Sequence, residues 1–414
     1  MSSARGDADG RFAGPADRWA GPAFAVMFVV SMAFHLHFAR GVTYYTRADE
    51  GYYFSYASAV STQGVWILPG LVENYIRAGS GTFPPPTRAG WILPSALALK
   101  VGGGEDPFPI GVLSTVFLGA TILAVFAFLR FHLRQRTALV AASLVAFSPL
   151  LGGMARRILQ DSAVAFLTVA TAFCFYQALK TRSARWSVAY GLSLFWLLVT
   201  KEAGLFTLPF LAGYAAWWKL RVDRHADLGP HGMATAFAGV ASFAAYIAVC
   251  GNLAAVFSLA RILFESQATN SYLLAYSSGP WFRYLVDLMS VSPMTVVLAI
   301  GFSFHYLVSR NGTAGGVEGF LVAFLVGLLA AYSLAIKNVR FVLAAEVPIR
   351  ALAACAVASV YDARPRRSVA LGLAVLVLVA IAYDVALFDQ IFVAGAVYDP
   401  VTDGVLRALE MLPR

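Results

Sequence analysis

The chain is 414 residues long, 59% apolar and only 13% charged, with a formal net charge of +9. Soluble domains run near a quarter charged, so this chain has too little polar surface to face water on all sides, and a soluble multidomain protein is excluded. Nor does the positive balance point to nucleic acid: no basic cluster carries interleaved aromatics, and Lys and Arg fall mainly in short breaks between apolar runs, as topology signals do.

The N-terminal stretch MSSARGDADGRFAGPADRWAG is polar, rich in Gly and Pro, and carries Arg5, Arg11 and Arg18. It reads as a disordered cytoplasmic tail over residues 1–21. The first apolar run ends in HLHFAR and not in a small-x-small site, so it reads as an uncleaved signal anchor. Further apolar runs follow, giving spans near 22–39, 109–129, 137–151, 162–179, 187–200, 203–218, 233–250, 289–308, 318–335, 341–360 and 368–388. The pattern predicts an all-α polytopic membrane protein of about eleven transmembrane helices, since each run approaches the length of a bilayer core.

With the N-terminus inside, the connections RFHLRQR, KTRSARW, KLRVDRH, 309–317 and YDARPRR all fall on the cytoplasmic side, and the positive-inside rule is satisfied at almost every one. The opposite face receives 40–108, 152–161, the Lys201–Glu202 corner, 251–288, the Lys337–Arg340 corner and an outward tail over 389–414. Residues 22–388 form one transmembrane domain in this reading. Cys174, Cys250 and Cys355 are scattered through apolar runs without metal-like spacing and read as small buried side chains. His35 and His37 close the first span and read as interfacial or core residues.

The loop 40–108 is the longest non-spanning stretch, and a loop of that length in a compact protein is usually functional. Residues 51–60 fit a short helix with Tyr52, Tyr53 and Tyr56 at the membrane interface. Pro84, Pro85 and Pro86 then force extended backbone before a short apolar helix from about residue 88.

Four charged groups mark the outward side. Asp49 and Glu50 sit in RADEGYYFSYA, which a solvated loop pair would also explain. Arg156, Arg157 and Asp161 lie at the entrance of the fourth span, with Arg157 and Asp161 at the i, i+4 spacing of a helix-end ion pair. Lys201 and Glu202 interrupt two apolar spans, where a tight turn with a snorkelling lysine is the bland account. Lys337 and Arg340 stand at the mouth of a later span, and Glu346 and Arg350, four apart, suit an intramembrane ion pair. Converging, these corners would place a carboxylate beside several cations. Such a cleft suits activation of a hydroxyl together with stabilisation of a departing phosphate.

These residues resemble the GT-C glycosyltransferases that use polyprenyl-phosphate sugars, similar to the protein O-mannosyltransferases and the lipid A aminoarabinose transferases. The resemblance rests on Asp49-Glu50 followed by Tyr52 and Tyr53, on Trp66–Pro69, and on Pro84, Pro85, Pro86 and Trp91. It continues through Arg157, Leu159 and Asp161, through Val199, Thr200 and Lys201, and through Arg340, Phe341 and Pro348. It implies a GT-C fold and inverting transfer from a polyprenyl-phosphate-linked donor to a lipid, glycan or protein acceptor, at an extracytoplasmic active site of the inner (plasma) membrane. By carry-over Asp49 is the base, with Glu50 shaping the loop or binding acceptor. Arg88, Lys201, Arg340 and Arg157 would bind the donor phosphate, with Asp161, Tyr52, Tyr53, Glu202, Lys337 and Glu346 in support. No cofactor is implied, the transfer being metal-independent in this reading with a divalent ion left open. The aminoarabinose transferases carry Glu-Lys before the double proline, where this chain has Phe83 and Pro84, so Arg88 would take over that lysine's work.

A transporter or flippase of a lipid-linked glycan would also use intramembrane charges, but the span pattern shows no internal repeat. A polymerase or ligase of lipid-linked glycans, with its base elsewhere, is the other alternative.

Overall fold

The computed structural model describes residues 19–79, 84–276, 279–309, 315–334, 337–400, 402–409 and 411. Phe83 and most of the polar N-terminal tail lie outside the described residues. All regular structure among the described residues is helical. In chain order the α-helices are α1 (Ala20–Arg40), α2 (Asp49–Gln63), α3 (Leu68–Ala78), α4 (Ala89–Gly102), α5 (Phe108–Arg130), α6 (Gln135–Ala146), α7 (Pro149–Ala155), α8 (Asp161–Thr181), α9 (Ala184–Thr200), α10 (Thr207–Arg221) and α11 (Gly229–Cys250). They continue with α12 (Leu253–Thr269), α13 (Ser271–Tyr276), α14 (Arg283–Val291), α15 (Pro293–Ser309), α16 (Val317–Ser333), α17 (Glu346–Ala363), α18 (Arg367–Phe388) and α19 (Thr402–Ala408).

The described residues of each apolar run read from the sequence are mainly helical. Six described helices are long and apolar enough to cross a membrane, or seven if the bent pair α6–α7 counts as one span, which makes this a multi-pass membrane protein. The run at 137–151 is not one straight helix. It breaks by 55° between α6 and α7, because Pro149 has no N–H to continue the ladder and Ser148 caps the new helix by accepting from the Leu151 N–H at 3.2 Å.

Burial separates inner from outer helices. In α8, 83% of the spanning window is buried, and in the segment Val339–Ala363, which ends in α17, 78%. In α1, α11 and α18 the figures are 22%, 17% and 22%, and these helices present Val, Phe and Leu outward where lipid replaces water. α8 packs along α9, α9 along α11, and α17 lies between α6 and α15.

The loop 40–108 carries three helices. α2 opens with Asp49 and Glu50 in its first turn, where the helix dipole favours negative charge, and ends at Gly64 with φ of 84°. α3, with Pro69 in its first turn, was not foreseen from the sequence; it packs on α11 and α12. α4 follows the prolines as expected and reaches α9 closely enough that a Cβ on Gly90 would meet the Thr200 hydroxyl at 2.4 Å. Gly90 therefore sets how near the proline segment comes to the Lys201–Glu202 corner.

Candidate active site

The charged corners meet at one end of the bundle, where the start of α2, the residue before α4, the start of α8, the α9–α10 corner and the 3-10 stretch Val339–Ala345 converge. The adjacent carboxylates have different surroundings. Glu50 is fully buried and accepts from the Tyr45 N–H at 2.9 Å, the Ile158 N–H at 3.1 Å and the Arg157 guanidinium. Burial pushes its carboxyl above the ordinary range, against the pull of Arg157 and the two backbone donors. Asp49 keeps 27% of its side chain exposed and accepts from Arg340 Nη2 at 3.2 Å.

The residue between them and the tyrosines is a constraint. A Cβ on Gly51 would lie 1.9 Å from the Thr46 carbonyl oxygen, so only glycine lets the preceding loop fold back onto the helix start. That return brings the Tyr45 N–H to Glu50.

The cations are differently engaged. Arg88 pairs with Glu202 at 3.1 Å and donates to the Tyr53 hydroxyl; burial keeps Tyr53 a neutral phenol. Oε1 of Glu202 is buried without a hydrogen-bond partner among the described residues, leaving an acceptor beside Arg88. Lys201 is buried, donates to Asp161 at 2.7 Å and lies over the Phe341 ring at 4.5 Å. Arg157 is held by Glu50 and sits between the rings of Tyr45 and Tyr398, at 5.1 and 5.0 Å. Arg340 lies between Asp49 and Asp399, the latter at 3.5 Å from Nε.

The i, i+4 pairing of Arg157 with Asp161 does not form. Residues 156–160 are not helical and Asp161 is the first residue of α8, so the helical spacing does not apply to them. Each side chain finds a partner from a distant segment. Tyr52 and Lys337 are half-buried. Glu346 instead faces the interior, where Arg350 bonds it at 2.8 Å and Asp384 at 2.6 Å, with Ser148 and Ser292 completing the cluster. The expected Glu346–Arg350 ion pair is thus present, and Asp384 is its unforeseen third member. His35 is a core residue bonded to the Ala146 carbonyl at 2.8 Å. Among the described residues no three His, Cys, Asp or Glu side chains group as metal ligands would.

Sequence reasoning also missed Tyr398 and Asp399. The pair Tyr-Asp in VYDP echoes the acid-and-tyrosine composition of the first loop, and that echo was the signal available.

Residues 85–246 match the family model for dolichyl-phosphate-mannose-protein mannosyltransferases, a stretch that includes Arg88, Arg157, Asp161, Lys201 and Glu202. The structure superposes on ArnT from Cupriavidus metallidurans bound to undecaprenyl phosphate with a TM-score of 0.60 at 13% identity, covering 96% of this chain and 75% of that one. The chain has the GT-C fold. The same GT-C framework aligns with the archaeal oligosaccharyltransferase AglB from Archaeoglobus fulgidus, in complex with an inhibitory peptide and a dolichol-phosphate, at a TM-score of 0.57 and 14% identity. That match covers 91% of this chain and 56% of AglB, so the GT-C chain spans little more than half of AglB's length. The arabinosyltransferase EmbB from Mycobacterium smegmatis aligns at a TM-score of 0.52 and 17% identity, over 85% of this chain and 32% of that one. None of the curated proteins matches the sequence.

Proposed function

We propose that this protein is a membrane glycosyltransferase that moves a sugar from a polyprenyl-phosphate donor to an acceptor hydroxyl on the outer face of the plasma membrane. Asp49 takes the hydroxyl proton, the freed oxygen attacks the anomeric carbon from the face opposite the phosphate, and the carbon–oxygen bond to phosphate breaks with inversion. Arg340 and Arg88 receive the departing polyprenyl phosphate, whose growing charge is met by guanidinium groups. The observation that carries this reading is the division of the acidic pair: Glu50 is buried and spent on three donors, while Asp49 stays partly open and faces an arginine.

The arginine also suits the order of events. While Arg340 holds Asp49, one carboxylate oxygen is engaged by Nη2 at 3.2 Å. A donor phosphate that draws Arg340 towards itself releases Asp49 for the hydroxyl, so the base is freed once donor is bound. The fold is shared with structures containing dolichol-phosphate and undecaprenyl phosphate, which supports a lipid phosphate as the donor carrier.

The test uses the full chain in lipid vesicles with a radiolabelled polyprenyl-phosphate sugar and membrane lipids as acceptor. Asp49→Asn should lower transfer by about 10²–10⁴-fold, the usual worth of a general base, with unchanged thermal stability. Wild-type activity in that variant removes Asp49 as base. Movement of the intact lipid-linked sugar across the vesicle, with no transfer, would favour a flippase instead.

A further inference from the structure

The segment after α18 stays packed on the bundle, with Ile391 and Phe392 in its core. It turns through a π-helical stretch, Asp389–Ala394, and packs back across the candidate site. Arg156 donates to the Phe392 carbonyl at 2.8 Å, the Tyr45 hydroxyl donates to the Ala396 carbonyl at 3.4 Å, and the Tyr45 and Tyr398 rings lie 5.0 Å apart. This places Asp399 beside the Arg340 guanidinium that also contacts Asp49. Asp399 Oδ1 lies 3.5 Å from Arg340 Nε and accepts from Asn338 Nδ2 at 2.5 Å. Asn338 in turn accepts from the Arg340 N–H at 3.1 Å, so one asparagine ties the carboxylate to the backbone that carries the arginine.

Arg340 therefore stands between two carboxylates that compete for one guanidinium. Its Nη2 bonds Asp49 at 3.2 Å, and its Nε lies at ion-pair distance, 3.5 Å, from Asp399. A guanidinium is planar and rigid, so a carboxylate that attracts one of its nitrogens constrains where the others lie. A second carboxylate also offsets part of the positive charge that Arg340 would present to an arriving phosphate. Removing that carboxylate leaves a stronger anion site and a tighter clamp on Asp49.

We infer that Asp399 is a positioning residue for the transfer reaction, orienting Arg340 between Asp49 and the donor phosphate and weakening its hold on both. The inference rests on the proposed reading of Arg340 as a donor-phosphate ligand. It adds that the segment 389–400 sets the balance between donor binding and release of the base. Binding and turnover should then move in opposite senses when Asp399 loses its charge, which a residue that merely supports folding would not produce.

The experiment measures donor KM and kcat for the full chain in vesicles, with wild type, Asp399→Asn, Asp399→Glu and Arg340→Ala, beside equilibrium binding of polyprenyl phosphate alone. Asp399→Asn should lower donor KM and tighten polyprenyl phosphate binding by about threefold or more while kcat falls about tenfold, and Asp399→Glu should restore both constants towards wild type. Should Asp399→Asn fail to fold, Asp399→Ser carries the same expectation. Unchanged constants, or a raised KM, in the charge-removing variant overturns the inference. The underlying reading fails separately: it falls if wild type transfers no sugar or if Arg340→Ala binds donor as wild type does. An active wild type whose donor binding depends on Arg340 isolates the role of Asp399.

Discussion

Arg340 and Asp49 are 291 residues apart in the chain and meet at 3.2 Å. Arg340 also reaches Asp399, so its planar fork spans two carboxylates that a single ammonium could not contact in the same way. Arg340→Lys keeps the charge and loses the fork. Donor KM is expected to rise about tenfold and kcat to fall, the pattern of an interaction that acts in both binding and reaction. Steady-state kinetics with varied donor would show this, and wild-type constants in the lysine variant would mean that charge alone suffices.

Gly51 offers a test of how the acidic pair is held. The added methyl of Gly51→Ala would lie 1.9 Å from a backbone oxygen, so the loop before α2 must move. A loss of about 1–3 kcal/mol is expected from this overpacking, together with loss of transfer, because the Tyr45 N–H would leave Glu50. Thermal melts of purified protein would report the first effect. A variant with wild-type stability and activity would mean that the fold-back is not needed.

The interior cluster of Glu346, Arg350 and Asp384 predicts a steep penalty for partial removal. Arg350 is fully buried and bonds both carboxylates, the Leu144 carbonyl and Ser292. Arg350→Met strands two carboxylates and should cost ~3–5 kcal/mol, whereas replacing all three charges by apolar side chains of similar volume should recover most of that loss. Denaturant unfolding in mild detergent would compare the two. Equal stability of the single and triple variants would contradict the account.

A pH dependence follows from Asp287 in α14. It is buried, accepts from the Thr402 hydroxyl at 2.6 Å and lies 3.9 Å from Arg283. Burial raises its carboxyl above the usual 3.8, outweighing Thr402 and Arg283, so the folded chain favours the protonated form. Its contribution to stability is then complete below 3.8 and is lost as pH climbs through the raised value. The melting temperature of wild type minus that of Asp287→Asn should fall over this range. A difference that rises with pH would reverse the sign.

Much of the helical framework was legible because lipid exposure demands long apolar runs, and the basic breaks between them survive as real connections. The charged corners were legible as a set for a related reason: charge near hydrocarbon is rare enough to stand out. Their pairing was not. Asp49 and Glu50 are equivalent on paper, and only the fold-back at Gly51 buries one and leaves the other open. Arg157 and Asp161 looked like helical neighbours because spacing says nothing of where a helix begins. Asp384 carried no local signal and Asp399 only the Tyr-Asp pair it forms with Tyr398, since their partners lie in other segments.

The closure of the site by residues 392–399 has a consequence for biogenesis. The loop before α2 is synthesised early, yet Tyr45 finds the Ala396 carbonyl 351 residues later. Arg157 likewise waits for Tyr398, and Arg340 for Asp399. A ribosome-bound chain that already contains every other residue of the site still lacks these closing contacts. These contacts can form only once residues 392–399 have been made, so this side of the charged cluster is completed after its other elements.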